Sequence, residues 1–297
     1  MVAKSGITEM RRQTTIGLLL RWWLIVLLLA FAVSAPAYAG ARDDCKALFP
    51  PRTATSIYTP PTPFEHQDVC HRNTSSGTPY LFVRYIKDTR TPLFVIYKLD
   101  QKRAQDANNQ TMYGRKVFRP DPQLALAGIA QAKDSDYSRS GWDKGHLAPS
   151  KIMQFDAEAW IYSYLFSNVA PQDRDLNQHL WKELEQYVRK WIAQRSGTNL
   201  SGKSIHVVTG VHFEDATPPA TKPGRKVKVP TGFFKVIYDV PAKAGIAFYA
   251  ANRSPGHNSI KVLAMKVGDL KAKLGKPVLG FFPEKDNSDA AHWNLPN

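Results

Sequence analysis

Residues 143–146 read Asp-Lys-Gly-His, an acid, a base, a glycine and a histidine side by side, directly after Ser-Gly-Trp. Each has an ordinary explanation: Asp143 and Lys144 as an exposed pair, Gly145 as a turn residue, His146 as a surface histidine. Together they supply parts of a phosphodiester hydrolase. Such an enzyme must deprotonate water, neutralise charge developing at phosphorus, and hold an anionic substrate. His146 fits the first task because an imidazole exchanges a proton near neutral pH. A magnesium ion would serve the second, and it needs only one or two oxygen ligands from the protein. Asn177 and Glu185, in DLNQHLWKELE (175–185), offer them. On one helix the eight-residue spacing turns them about 80° apart with about 12 Å of rise. Side chains lean back toward the helix start, so Glu185 points toward Asn177 without meeting it, which suits a carboxylate reaching the ion through water.

The remaining chain sets the context. Lys4, Arg11, Arg12 and Arg21 precede the 12-residue apolar run WWLIVLLLAFAV (22–33), and Ala37-Tyr38-Ala39 follows. The pattern predicts a cleaved export signal over residues 1–39 and a periplasmic or secreted protein. An apolar run of that length is short for a membrane span, which needs about 20 residues. The whole chain carries a formal charge of +15, and removing the leader would leave 36 basic against 24 acidic side chains. Such an excess favours a polyanionic partner, nucleic acid or an anionic surface, through its long-range field. The only two cysteines, Cys45 and Cys70, are expected to pair, as an even number in an exported protein does.

Residues 40–77 read as an N-terminal arm tied by that disulfide, and 78–297 as one α+β domain. The runs YLFVRYIK (80–87) and LFVIYKL (93–99) predict a strand pair. Further strands are expected at 205–213, 233–240, 246–252 and 260–265, and a short helix at 267–275 ending on Gly275. A long helix is expected after Asp175 as N-cap, with Leu176, Leu180, Leu184, Val188 and Trp191 on one face. His206 and His212 have no cysteine or acidic partner at zinc-ligand spacing and read as core or surface histidines.

DKGH (143–146), SNVAPQ (167–172), DLNQ (175–178) and LE (184–185), in this order, resemble the signature of the DNA/RNA non-specific endonuclease family. VFRPDP (117–122), VVTGVHF, VPTGFFKVI and GFFP (280–283) extend the likeness over roughly residues 78–284. The resemblance implies the ββα-metal (His-Me finger) fold, a central antiparallel sheet flanked by helices. It implies hydrolysis of DNA and RNA to 5′-phosphate ends with Mg2+, for which Mn2+ can substitute. By position, His146 resembles the general base, Asn177 the magnesium ligand, Glu185 the holder of a water on the ion, and Asn168 an auxiliary polar group of the site. Asp143 is expected to brace the turn of the histidine loop. Arg119 is the first choice for an upstream phosphate contact, and Arg115 the second. Lys144 stands where the family has arginine, keeping the charge but losing the planar two-pronged grip on phosphate. A homodimer is compatible with the resemblance. Two other readings stay open: a nucleic-acid-binding protein on an inactive scaffold, and a phosphodiesterase for a non-polymeric substrate.

Overall fold

The computed structural model describes residues 40–50, 64–111, 113–114, 117–194, 204–214, 218–256, 258–275 and 290–296. The expected leader, Arg115 and the GFFP motif lie outside these residues. In chain order the elements are α1 (Ala41–Asp44), β1 (His66–Arg72), β2 (Pro79–Ile86), β3 (Thr91–Asp100), α2 (Gln101–Asn109), α3 (Pro122–Leu126) and α4 (Asp134–Tyr137). Then come β4 (Trp142–His146), α5 (Ala157–Ser163), β5 (Val169–Asp173), α6 (Arg174–Gln178) and α7 (Leu180–Gln194). The chain continues through β6 (Ser204–His212), β7 (Gly232–Asp239), β8 (Ala244–Ala251), β9 (Ala264–Met265), α8 (Val267–Leu274) and α9 (Ala290–Trp293).

Seven strands form one sheet in the order β1-β2-β3-β6-β7-β8-β9, and β4 and β5 form a separate two-stranded ribbon. Every pairing is antiparallel. Successive side chains leave a strand on opposite faces, and here both faces are covered. Val207, Phe233 and Ile237 pack with Leu180, Trp181, Leu184 and Val188 of α7. Their neighbours Val208, Phe234 and Val236 pack on the other face with Leu270 of α8, Leu48 and Cys45. Two-sided burial is why these strands read as continuous apolar runs rather than as an alternation.

Three expectations change. Residues 66–72 are not part of a loose arm but the edge strand of the main sheet, in register from His66 against Ile86 to Cys70 against Phe82. The Cys45–Cys70 disulfide is present and fastens α1 and the following turn to that edge. Residues 260–265 hold one 3-10 turn and a two-residue strand, not a full strand. The long helix is broken at His179 (φ −116°, ψ −93°), and its first segment, α6, is capped by Asp173 rather than Asp175. The Asp173 carboxylate accepts the Leu176 N–H at 3.0 Å, which satisfies one of the N–H groups a helix start leaves open.

Candidate active site

The ribbon and the broken helix together hold the site. β4 pairs with β5 from Trp142 opposite Asp173 to His146 opposite Val169, and α6 follows β5 without a loop. Ala170 and Leu176 pack into the core under the main sheet, and the Asn252 amide adds a polar tie. The Asn252 side chain accepts the Asp173 N–H at 2.7 Å and donates to the carbonyls of Pro171 and Pro230 at 3.0 and 2.9 Å.

Gly145 is a strand residue, and its reason for being glycine differs from the turn expected of it. A Cβ there would lie 2.3 Å from Gln172 Oε1 and 2.6 Å from Gln172 Cβ. The missing side chain lets β5 close against β4.

His146 ends β4 half-buried. Its ring lies 5.1 Å from that of Tyr164, edge to face, and 5.3 Å from that of Phe118. The ring borders a small cavity also lined by Ser150, Lys151, Asn177, Lys182, Glu185 and Arg189. Thus His146, Asn177 and Glu185, from three separate segments, meet at one place.

Asp143 does not brace a histidine turn. Its carboxylate accepts hydrogen bonds from Asn177 Nδ2 at 2.9 Å and Gln178 Nε2 at 2.8 Å, tying the start of α6 to β4. With its nitrogen held there, the Asn177 amide presents its oxygen away from Asp143. Among the described residues no hydrogen bond or ion pair holds the Glu185 carboxylate. Burial pushes Glu185 up to a higher pKa against the pull of Lys235 and Arg189. Burial pushes the Lys235 ammonium down, against the pull of Glu185. Lys235 is fully buried, donates to Thr209 Oγ1 at 2.5 Å and stands 5.3 Å from the Trp181 ring. An amide oxygen and a carboxylate are hard oxygen donors of the kind magnesium takes, without the nitrogen and sulfur set zinc prefers. His206 is a core histidine bonded to the Leu48 carbonyl, and His212 is half-buried, bonded to the Tyr249 hydroxyl and 3.9 Å from Glu214.

Asn168 lies behind the histidine, not in the cleft. It is fully buried. Its Oδ1 accepts the Ala148 N–H at 2.9 Å, and Nδ2 donates to the carbonyls of Ala148 and Ser163 at 2.9 and 2.8 Å. Its backbone carbonyl accepts the Leu147 N–H. It therefore clamps the chain where it leaves His146.

Lys144 lines a second cavity, with Phe118, Asp134, Tyr137, Ser138, Trp142, Asp143 and Asn177. The ammonium is paired with Asp134 and lies 4.6 Å from the Phe118 ring. A phosphate reaching Lys144 must compete with that carboxylate. Arg119 is exposed and held by its backbone, which bonds to Tyr164 and Phe166. It lines neither cavity, although its neighbour Phe118 touches His146. Two residues later Asp121 is fully buried and accepts from His71 Nε2 at 2.9 Å, from Ser167 Oγ at 2.5 Å and from the Gln123 N–H at 2.9 Å.

Sequence reasoning missed Arg189 and Lys182. The spacing of Glu185 and Arg189, one helical turn apart, was a readable signal. Arg189 Nε donates to Asn108 Oδ1 at 2.6 Å, fixing the guanidinium at the rim.

A two-stranded ribbon ending in a histidine, followed by a helix that presents an amide oxygen, is the ββα-metal nuclease arrangement. Comparison with known proteins agrees. The model of the DNA/RNA non-specific endonuclease family matches residues 71–283, and the chain belongs to that family. It is 29% identical over 216 residues to the mitochondrial nuclease EXOG of Danio rerio, covering 67% of this chain and 58% of that protein. It is 30% identical over 178 residues to a nuclease of Nostoc, covering 56% and 59%. It is 32% identical over 161 residues to human mitochondrial endonuclease G, covering 52% and 50%. The chain thus spans between half and three-fifths of the length of these relatives. A chain in the crystal structure of the EndoG/EndoGI complex superposes with a TM-score of 0.54 at 21% identity, covering 82% of this chain and 91% of that one. That likeness speaks for the fold.

Proposed function

We propose that the protein is an exported, sugar-non-specific endonuclease that hydrolyses DNA and RNA phosphodiesters to 5′-phosphate ends. The observation that supports this most is the meeting of His146, Asn177 and Glu185 at one cavity. His146 takes the proton from the attacking water. Its aromatic neighbours Tyr164 and Phe118 limit where the ring can turn, so the base is oriented before substrate arrives. Asn177 would hold a magnesium ion through its amide oxygen, and Glu185 would hold it through an intervening water. Bound there, the ion would supply Lewis-acid polarisation of the phosphate and stabilise the departing 3′-oxygen. Asp143 fixes Asn177 in place. Lys144 and Arg119 bring positive charge to the substrate phosphates, contacts that carry little sequence information.

The leader read from residues 1–39 and the disulfide support export to an oxidising compartment, the periplasm or outside the cell. No helix among the described residues is long and apolar enough to cross a membrane.

Incubation of the purified protein with plasmid DNA and with RNA, across a magnesium titration, tests the reading. Both polymers should be cut, with 5′-phosphate ends on the products. His146→Ala should lose cleavage by several orders of magnitude and keep its affinity for DNA. Binding without cleavage by the wild type at any magnesium level would refute the proposal and favour a binding protein on an inactive scaffold.

A further inference from the structure

The loop between β6 and β7 carries Lys222, Arg225, Lys226 and Lys228 within the eleven residues 219–229, and no acid. It is a built element. Ala220 bridges Lys228, the Thr221 N–H donates to the Val227 carbonyl at 2.9 Å, and the Val229 N–H donates to Pro219 at 2.8 Å. The tip turns at Gly224 (φ +72°), where only glycine sits without strain. Val227 is fully buried and packs with Tyr137, Phe166 and Val169, so the loop is pinned behind the ribbon.

Its basic side chains reach the wall of the cleft. The Lys222 ammonium donates to the Ser138 carbonyl, and Arg225 Nε lies 3.8 Å from Asp136. Ser138 and Tyr137 line the cavity that holds Lys144. Lys226 is exposed, and no acidic side chain pairs with it among the described residues. Four like charges on one short hairpin repel one another, and among the described residues Asp136 is the acid that pairs with one of them. A polyanion relieves that repulsion.

We infer that this hairpin is a phosphate-backbone track, carrying the nucleic-acid strand where it leaves the cleft on the Lys144 side. The inference rests on the endonuclease reading for the identity of the strand. It adds that grip on long substrates is separable from the chemistry at His146. Residues outside the reacting centre would then set how well polymers compete with short fragments.

The test is the double substitution Arg225→Gln, Lys226→Gln beside the charge-keeping pair Arg225→Lys, Lys226→Arg. Lys222 is left in place because its hydrogen bond tethers the loop. Neutralisation should raise KM on plasmid DNA by roughly tenfold at low salt with kcat unchanged. Cleavage of a dinucleotide, with one phosphodiester to fill the cleft, should not change, and the charge-keeping pair should behave as wild type. In a His146→Ala background, the slope of log affinity for duplex against log salt should flatten by about 1.8, the value for two lost phosphate contacts. An unchanged plasmid KM and salt slope would overturn the inference, as would equal losses on plasmid and dinucleotide. If the wild type cuts neither substrate the endonuclease reading fails, yet the salt slope still reads the hairpin.

Discussion

Gly145→Ala adds one methyl group at the closest approach of the two ribbon strands. The Gln172 Oε1 atom, 2.3 Å from the new Cβ, can swing aside with its side chain. Gln172 Cβ, 2.6 Å away, cannot move without taking β5 with it. Gln172 is fully buried, so any swing of its side chain takes place inside the packed interior. Overpacking of this kind costs about 1–3 kcal/mol, and a domain of this size loses roughly 2–4 °C of melting midpoint per kcal/mol. The larger effect falls on geometry. β4 carries His146 one residue later, and β5 leads straight into α6 with Asn177. Parting the strands moves the base relative to the amide, and a displacement of about 1 Å costs on the order of a hundredfold in rate. The expected variant is folded, melts a few degrees lower and has kcat down about a hundredfold on plasmid DNA. Thermal melting beside steady-state cleavage reads both. Gln172→Ala should not rescue it, because the offending Cβ remains, whereas Gln172→Gly should restore part of the rate. A Gly145→Ala protein with wild-type melting and wild-type kcat would refute the reasoning.

Asp143→Ala removes the acceptor of Asn177 and Gln178, so the magnesium concentration for half-maximal activity should rise about 10–100-fold. Calorimetric binding of magnesium without substrate should weaken in parallel, and an unchanged titration would exclude this positioning role. The Asp121 carboxyl would be raised by burial, but attraction to His71 and hydrogen bonds from His71, Ser167 and the Gln123 N–H outweigh that and hold its pKa below the ordinary 3.8. A carboxyl depressed in the folded state contributes stability above its unfolded value and loses it as pH falls through the folded one. Melting midpoints measured from neutral pH down to about pH 3 should therefore fall less steeply in Asp121→Asn than in wild type; parallel curves would remove Asp121 as a source of acid sensitivity.

Much of the fold was readable because burial leaves a mark on composition. β2, β3, β6, β7 and β8 all lie where β-branched and aromatic runs predict strands. α8 ends at Gly275 (φ +78°) as its glycine suggests. β1 was missed because HQDVCHR is mixed in polarity, and its acid is used in a pair with Arg84 that composition cannot reveal. An apolar run as short as IKVLAM fits a strand or a turn equally, and only the tertiary partners decide. The site was legible as a set of residue types and illegible as a set of directions. Nothing in SNVAPQ says that Asn168 points back at the chain leaving His146, nor does DKGH say that Asp143 reaches across to another element. The kink at His179 likewise separates Asn177 from the helix that carries Glu185, and no helical wheel drawn through both includes it.

The hydrogen bond from Asn177 to Asp143 also decides what residue position 177 can be. An aspartate there would set a second carboxylate within about 3 Å of the first, and two such anions cannot both stay ionised. The amide avoids that conflict and, unlike a carboxylate, brings no charge of its own. A cation whose direct protein ligand is a neutral oxygen would keep more of its double charge for the phosphate in front of it than one held by a carboxylate. The same neutrality makes its hold loose. A chain built this way would exchange its ion freely with the surroundings, and a chelator would silence it without unfolding it.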